Sequence, residues 1–100
     1  MADAHDYWVY LVSNNTRSTL YIGITSDLKV RMWEHRQGDK PGSFTERYHC
    51  SHLVHAEHFG DVQAALAREK QLKGWRREKK NALIASQNPH WVDLAADWFD

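Results

Sequence analysis

The chain has one cysteine, two prolines and five glycines, no excess of either charge, and no apolar run approaching the length of a membrane span. A lone Cys50 rules out an internal disulfide and suits a reducing, cytoplasmic setting. The opening Met1-Ala2-Asp3-Ala4-His5-Asp6 is acidic and lacks the basic and apolar regions of a signal peptide, so no membrane association is expected. Thirteen Lys and Arg balance thirteen Asp and Glu, which removes any global electrostatic argument for nucleic acid. No internal repeat or low-complexity tract is visible. What is present, 42% apolar residues with 12% aromatics, suffices for one compact domain over residues 1–100.

Two short stretches rich in β-branched and aromatic residues read as strands, Tyr7-Trp8-Val9-Tyr10-Leu11-Val12 and Leu20-Tyr21-Ile22-Gly23-Ile24. The polar run Ser13-Asn14-Asn15-Thr16-Arg17-Ser18 joins them. A hairpin centred on Asn15-Thr16 would set residue 10 opposite residue 21, with both phenols on one sheet face. Two packing aromatics would satisfy the same pattern.

Polar residues then recur where helical spacing predicts core. Thr25-Ser26-Asp27 offers N-caps for a helix ending near Gly38. On it Leu28, Arg31, Met32 and His35 share a face, so the apolar pair carries the guanidinium and imidazole inward. Val30 and Trp33 lie on the opposite side. An Arg31 that snorkels and a His35 that caps a carbonyl remain the plainer alternative. In a second helix, capped by Asp61, Glu69 falls within the stripe Val62, Ala65, Leu66 and Leu72. A carboxylate there needs a cation, a hydrogen-bond network or a metal. Either an ion pair with Arg31 or a divalent-metal site fits.

Between the helices, residues 52–59 read as a third strand, preceded by a long loop that carries Lys40 and Arg47. His49, His52, His55 and His58 recur every third residue, but strict alternation turns His55 away from His52 and His58, which argues against zinc. Residues 66–81 hold seven cations, among them Lys70, Lys73, Arg76 and Arg77, against two anions. This local excess of five positive charges can hold phosphates, though it also describes a solvated helix surface. Trp75 could stack on a base but sits at core spacing from Leu72. A third helix is expected over 76–86, followed by Asn88 before Pro89. The fold class is therefore α+β, a three-stranded sheet of hairpin plus one strand flanked by about three helices, in the order β-β-α-β-α-α.

The order of Tyr10, Tyr21-Ile22-Gly23, Arg31, His35, Glu69 and Asn88 resembles the GIY-YIG nuclease superfamily, most closely its small single-domain bacterial members. Phe44-Thr45-x-Arg47-Tyr48, the run from Ala67 to Trp75, and Asn88-Pro89-x-Trp91-x-Asp93-Leu94 add to the likeness, which spans about residues 7–94. The first signature triplet departs from it: Trp8-Val9-Tyr10 keeps the tyrosine and loses glycine and isoleucine. The resemblance implies metal-dependent hydrolysis of DNA phosphodiesters, without excluding RNA. Glu69 would hold Mg²⁺ or Mn²⁺, Arg31 would contact the phosphate, and Asn88 would position the metal's water shell or a phosphate. Tyr10 would act as general base with His35 or Tyr21 as relay. A free phenol is only about 0.1% ionised at pH 7, a deficit of roughly 4 kcal/mol that neighbours must offset. Lys40, Arg47, Lys70, Lys73, Arg76 and Arg77 would meet the backbone, and a homodimer or protein partner would supply specificity to so small a chain.

Two other classes fit the same residues. A non-catalytic nucleic-acid-binding module would keep the fold without needing Glu69 in an apolar stripe. A protein-interaction adaptor would use Trp91, Trp98 and Phe99 and would show no salt-dependent DNA affinity.

Overall fold

The computed structural model describes residues 6–37 and 49–99. Lys40, Arg47 and the rest of the loop before the third strand lie outside them. Strands β1 (Tyr7–Ser13), β2 (Leu20–Thr25) and β3 (His52–Phe59) form one antiparallel sheet, ordered β2-β1-β3. Helix α1 (Leu28–Gln37) follows β2, and α2 (Val62–Lys73) and α3 (Arg77–Gln87) follow β3. This is the α+β arrangement and element order that the sequence predicts.

Central β1 is apolar on both sides because both sides are covered. Val9 and Leu11 join Ile22, Val54, Ala65, Leu72 and Ile84 in one core. Tyr10 and Val12 join Leu28, Met32, Cys50, Leu53 and Ala95 in the other. No helix among the described residues is long and apolar enough to cross a membrane.

The hairpin register differs from the expected one. Tyr10 pairs with Gly23, and Tyr21 pairs with Val12. Arg17 N–H closes a turn on the Asn14 carbonyl at 3.1 Å, and Arg17 adopts a left-handed φ of 63°. Ser18 and Thr19 then return the chain, offsetting the pairing by two residues. An even offset leaves side-chain parity intact, so both tyrosines still share a face.

A second irregularity lies in β3. Leu11 pairs with His55 and Val12 with Leu53, so Val54 is an extra residue in the ladder. The bulge turns Val54 and His55 to the same side, which strict alternation does not anticipate. His55 is thereby buried, with Nε2 2.8 Å from the Glu57 carboxylate. Arg68 of α2 donates to both Glu57 oxygens, at 2.8 and 3.0 Å, and clamps the helix to the sheet. Burial alone pushes the Glu57 carboxyl up, but the bonds from Arg68 and His55 outweigh it and hold it below the usual carboxylate range. Its contribution to stability is present at neutral pH and is lost as pH falls through the depressed value. Glu57→Gln is expected to lower stability by about 1–3 kcal/mol at pH 7 and to flatten the acid limb. Urea unfolding at pH 7 and at pH 3.5 checks both.

The C-terminal segment closes the open margin of β3. Leu53 N–H donates to Asp93 Oδ1 at 3.1 Å, and Leu94 N–H donates to the Leu53 carbonyl at 2.8 Å. Arg36 of α1 meets the other Asp93 oxygen at 2.7 Å.

Candidate active site

Helix α1 starts firmly. Asp27 Oδ1 accepts from Val30 N–H at 3.1 Å, and Thr25 Oγ1 accepts from Asp27 N–H at 3.1 Å. Leu28 and Met32 seat the helix on the sheet, and Val30 and Trp33 are exposed, as the periodicity predicts. Arg31 and His35, one turn apart, therefore both reach Tyr10.

Tyr10 has no accessible surface. Its hydroxyl oxygen accepts from Arg31 Nε at 3.2 Å and lies 3.0 Å from His35 Nε2. The phenol oxygen thus joins the guanidinium and the imidazole in one hydrogen-bonded group. Tyr21 is half-buried beside them, its ring centroid 6.4 Å from that of Tyr10 and 5.8 Å from that of His35.

Gly23 makes this packing possible. A Cβ built there would fall into the Tyr10 ring, overlapping the hydroxyl and its carbon. The glycine is required by close approach, not by an unusual backbone angle.

Burial pushes the Tyr10 phenol up to about 12, against a downward pull from the Arg31 hydrogen bond and charge. The Tyr21 phenol and the Glu69 carboxylate add to the upward push through space. Burial opposes the charge on Arg31, but its bonds to Tyr10 and Glu34 win and raise its pKa. The Glu34 contact, Nη1 to Oε1 at 2.9 Å, joins two partly exposed side chains one turn apart.

Glu69 is only partly buried, and Leu66 of the expected stripe is exposed, because α2 packs through Ala65 and Leu72. The Glu69 ion pair is with Lys73, at 3.3 Å across one helical turn, and not with Arg31, the partner considered as the alternative to a metal.

The sequence profile of the GIY-YIG catalytic domain matches residues 6–81. The chain belongs to the GIY-YIG family. Its relatives include UPF0213 proteins from Natronomonas pharaonis, 36% identical over 84% of this chain and 96% of that one, and Haloquadratum walsbyi, 40% identical over 83% and 89%. A UPF0213 protein of Staphylococcus aureus is 34% identical over 82% of this chain and 95% of its own. The solution NMR structure of a UPF0213 protein from Bacillus halodurans shares the fold, with a TM-score of 0.55 and 21% identity over 92% of this chain and 97% of that one. GIY-YIG membership places the chain in a nuclease superfamily.

GIY-YIG nucleases generally use divalent metals. No group of three or more His, Cys, Asp and Glu residues is assembled to hold an ion among the described residues. A lone carboxylate still suits Mg²⁺ or Mn²⁺, which retain waters and take phosphate oxygens, and it does not suit zinc. The counter-charge on Glu69 is the ammonium of an exposed lysine, a displaceable partner.

Other residues singled out in this GIY-YIG sequence stand elsewhere. The Asn88 amide is buried behind α3. It donates to the Val54 and Val92 carbonyls at 3.1 and 2.9 Å and accepts from Val92 N–H at 3.1 Å. These bonds tie the end of α3 to outer strand β3. Arg77 binds Asn81 and the carbonyls of Arg17 and Ser18, so it fastens the hairpin turn. Lys70, Lys73 and Arg76 are exposed. Arg68 and Lys79 stand 5.1 and 4.2 Å from the Trp75 ring centroid, cation contacts that compete with base stacking. Glu34 went unnoticed in the sequence, although its place three residues after Arg31 was the available signal.

Proposed function

We propose that this chain is a divalent-metal-dependent endonuclease that hydrolyses DNA phosphodiester bonds with little sequence preference. The observation that carries the reading is the buried Tyr10 hydroxyl, joined to both Arg31 and His35 and flanked by a half-exposed Tyr21. A guanidinium and an imidazole brought onto one phenol, beside a second phenol, make the kind of acid–base and anion-binding cluster that phosphodiester hydrolysis needs.

The residues divide the work by exposure. Tyr21 is half-exposed, so it is the group in this reading that, once its own hydroxyl proton has passed to His35, takes a proton from the attacking water. Tyr10, inaccessible to water, is a positioning residue: it fixes the plane of Arg31 and the ring of His35. The outer edge of Arg31 would meet the scissile phosphate and offset its growing negative charge. Glu69 would hold the cation, which when bound supplies Lewis acidity toward phosphate oxygens and acidifies water. Lys70 and Arg76 would meet the backbone on either side, as salt-sensitive contacts without base readout. Asn88 enters this reading as the residue that secures α3. Target choice, and any place in DNA repair, would come from a partner protein or a second copy.

Nicking of supercoiled plasmid tests the reading. Relaxation is expected with Mg²⁺ or Mn²⁺ and not with a chelator. Glu69→Gln should need about tenfold more metal or higher for half-maximal nicking. Equal, metal-indifferent nicking by both proteins would point to a contaminating nuclease and leave the non-catalytic binding module as the better description.

A further inference from the structure

We infer that Glu34 is an intramolecular anion that holds Arg31 until the phosphate of a DNA backbone displaces it, which makes it a specificity-determining residue of this site. The inference rests on the reading of Arg31 as the phosphate-binding group.

Arg31 makes two directed bonds that differ in kind. Nε donates to the fully buried Tyr10 hydroxyl at 3.2 Å, which fixes the guanidinium plane from the protein side. Nη1 donates to Glu34 Oε1 at 2.9 Å, at the outer end, where the two side chains are 23% and 32% exposed. The outer end is the part that an incoming ligand meets. Carboxylate and phosphodiester present similar oxygen pairs to a guanidinium fork, so they compete for that edge. Glu34 reaches Arg31 from the same helix, one turn on, so the contact forms without any other element moving.

Charge follows from this geometry. Paired with Glu34, Arg31 adds little net positive potential to the site. A small anion meeting Arg31 alone must overcome the like charge of Glu34 for a single contact. A polynucleotide offsets that repulsion with further phosphates on Lys70 and Arg76, both exposed on the basic segment. The pair therefore favours an extended polyanion over a mononucleotide or inorganic phosphate. Arg31 is charged throughout, and Glu34 determines which anions benefit from that charge.

Binding of a fluorescent DNA duplex, followed by anisotropy in chelator across a series of KCl concentrations, tests this without cleavage. Glu34→Gln should bind about fivefold tighter than wild type, as expected for releasing one exposed ion pair. Inorganic phosphate should compete more effectively with the variant than with wild type. In an Arg31→Gln background, Glu34→Gln should give no gain, since the effect passes through Arg31. Circular dichroism establishes that each variant is folded, and Glu34→Ala should repeat the gain. Equal or weaker binding by folded Glu34→Gln, or a gain that survives Arg31→Gln, overturns the inference while leaving the nuclease reading intact. Absence of any salt-dependent DNA binding by wild type would instead overturn the nuclease reading, and this inference with it.

Discussion

Tyr21→Phe is expected to lower the plasmid-nicking rate by about 10²–10⁴, the usual contribution of a positioned acid–base group, with little change in thermal stability. Tyr21 is half-buried, and the substitution keeps its ring in place while removing the hydroxyl alone. Tyr10→Phe should behave differently. It removes the oxygen between Arg31 Nε and His35 Nε2 and leaves both facing a phenyl ring inside the core. The expected stability loss is about 1–3 kcal/mol, with slower nicking and a raised KM as Arg31 loosens. The two variants also separate at high pH. Tyr10 is held up to about 12 in the folded chain, whereas a phenol in an unfolded chain titrates near 10. The unfolded state therefore loses its proton first. Stability carried by the neutral phenol is whole below pH 10 and drains away as pH climbs toward 12. Denaturant midpoints at pH 8 and pH 11.5 should fall further for wild type than for Tyr10→Phe. A fully active Tyr21→Phe beside a dead Tyr10→Phe would exchange the roles assigned to the two phenols.

Gly23→Ala is expected to damage fold and site together. The added methyl meets the Tyr10 ring, which is inaccessible and packed in the core with Val12, Leu28 and Met32. The ring must move, and Arg31 and His35 are bonded to it. Forcing a methyl into a filled core costs about 1–3 kcal/mol, and at roughly 4–8 °C per kcal/mol the melting temperature should drop by about 10 °C. Gly60→Ala is the control, since a Cβ there meets nothing within 4 Å. Thermal unfolding of both, alongside nicking below the lower melting point, separates lost stability from a displaced site. Wild-type melting by Gly23→Ala would mean that the phenol can shift freely and that the contact is not binding.

Much of the architecture is legible in the residues, because long-period signals survive averaging. Leu28, Met32 and His35 mark the inner face of α1 by spacing, and Asp61 caps α2 through a 3.0 Å bond to Ala64 N–H. What escapes is set by single backbone events. One left-handed residue, Arg17, shifts the hairpin register. One extra residue, Val54, redirects His55 into the Glu57–Arg68 clamp. Neither event alters composition or periodicity. Partner choice among charges is equally hidden: Glu69 with Lys73 and Arg31 with Glu34 are both short-range helix pairs, while the sequence leaves Glu69 open to Arg31 or a metal. Asn88 shows the remaining gap, since an amide that binds three backbone groups and one that orients a phosphate look alike in a sequence.

Asp93 and Leu94 do more than continue the chain beyond α3. By satisfying both backbone groups of Leu53 they deny neighbouring molecules a template on that flank of β3. A version of the protein cut behind Pro89 would bare that flank, and its hazard would be self-stacking into aggregates rather than loss of chemistry.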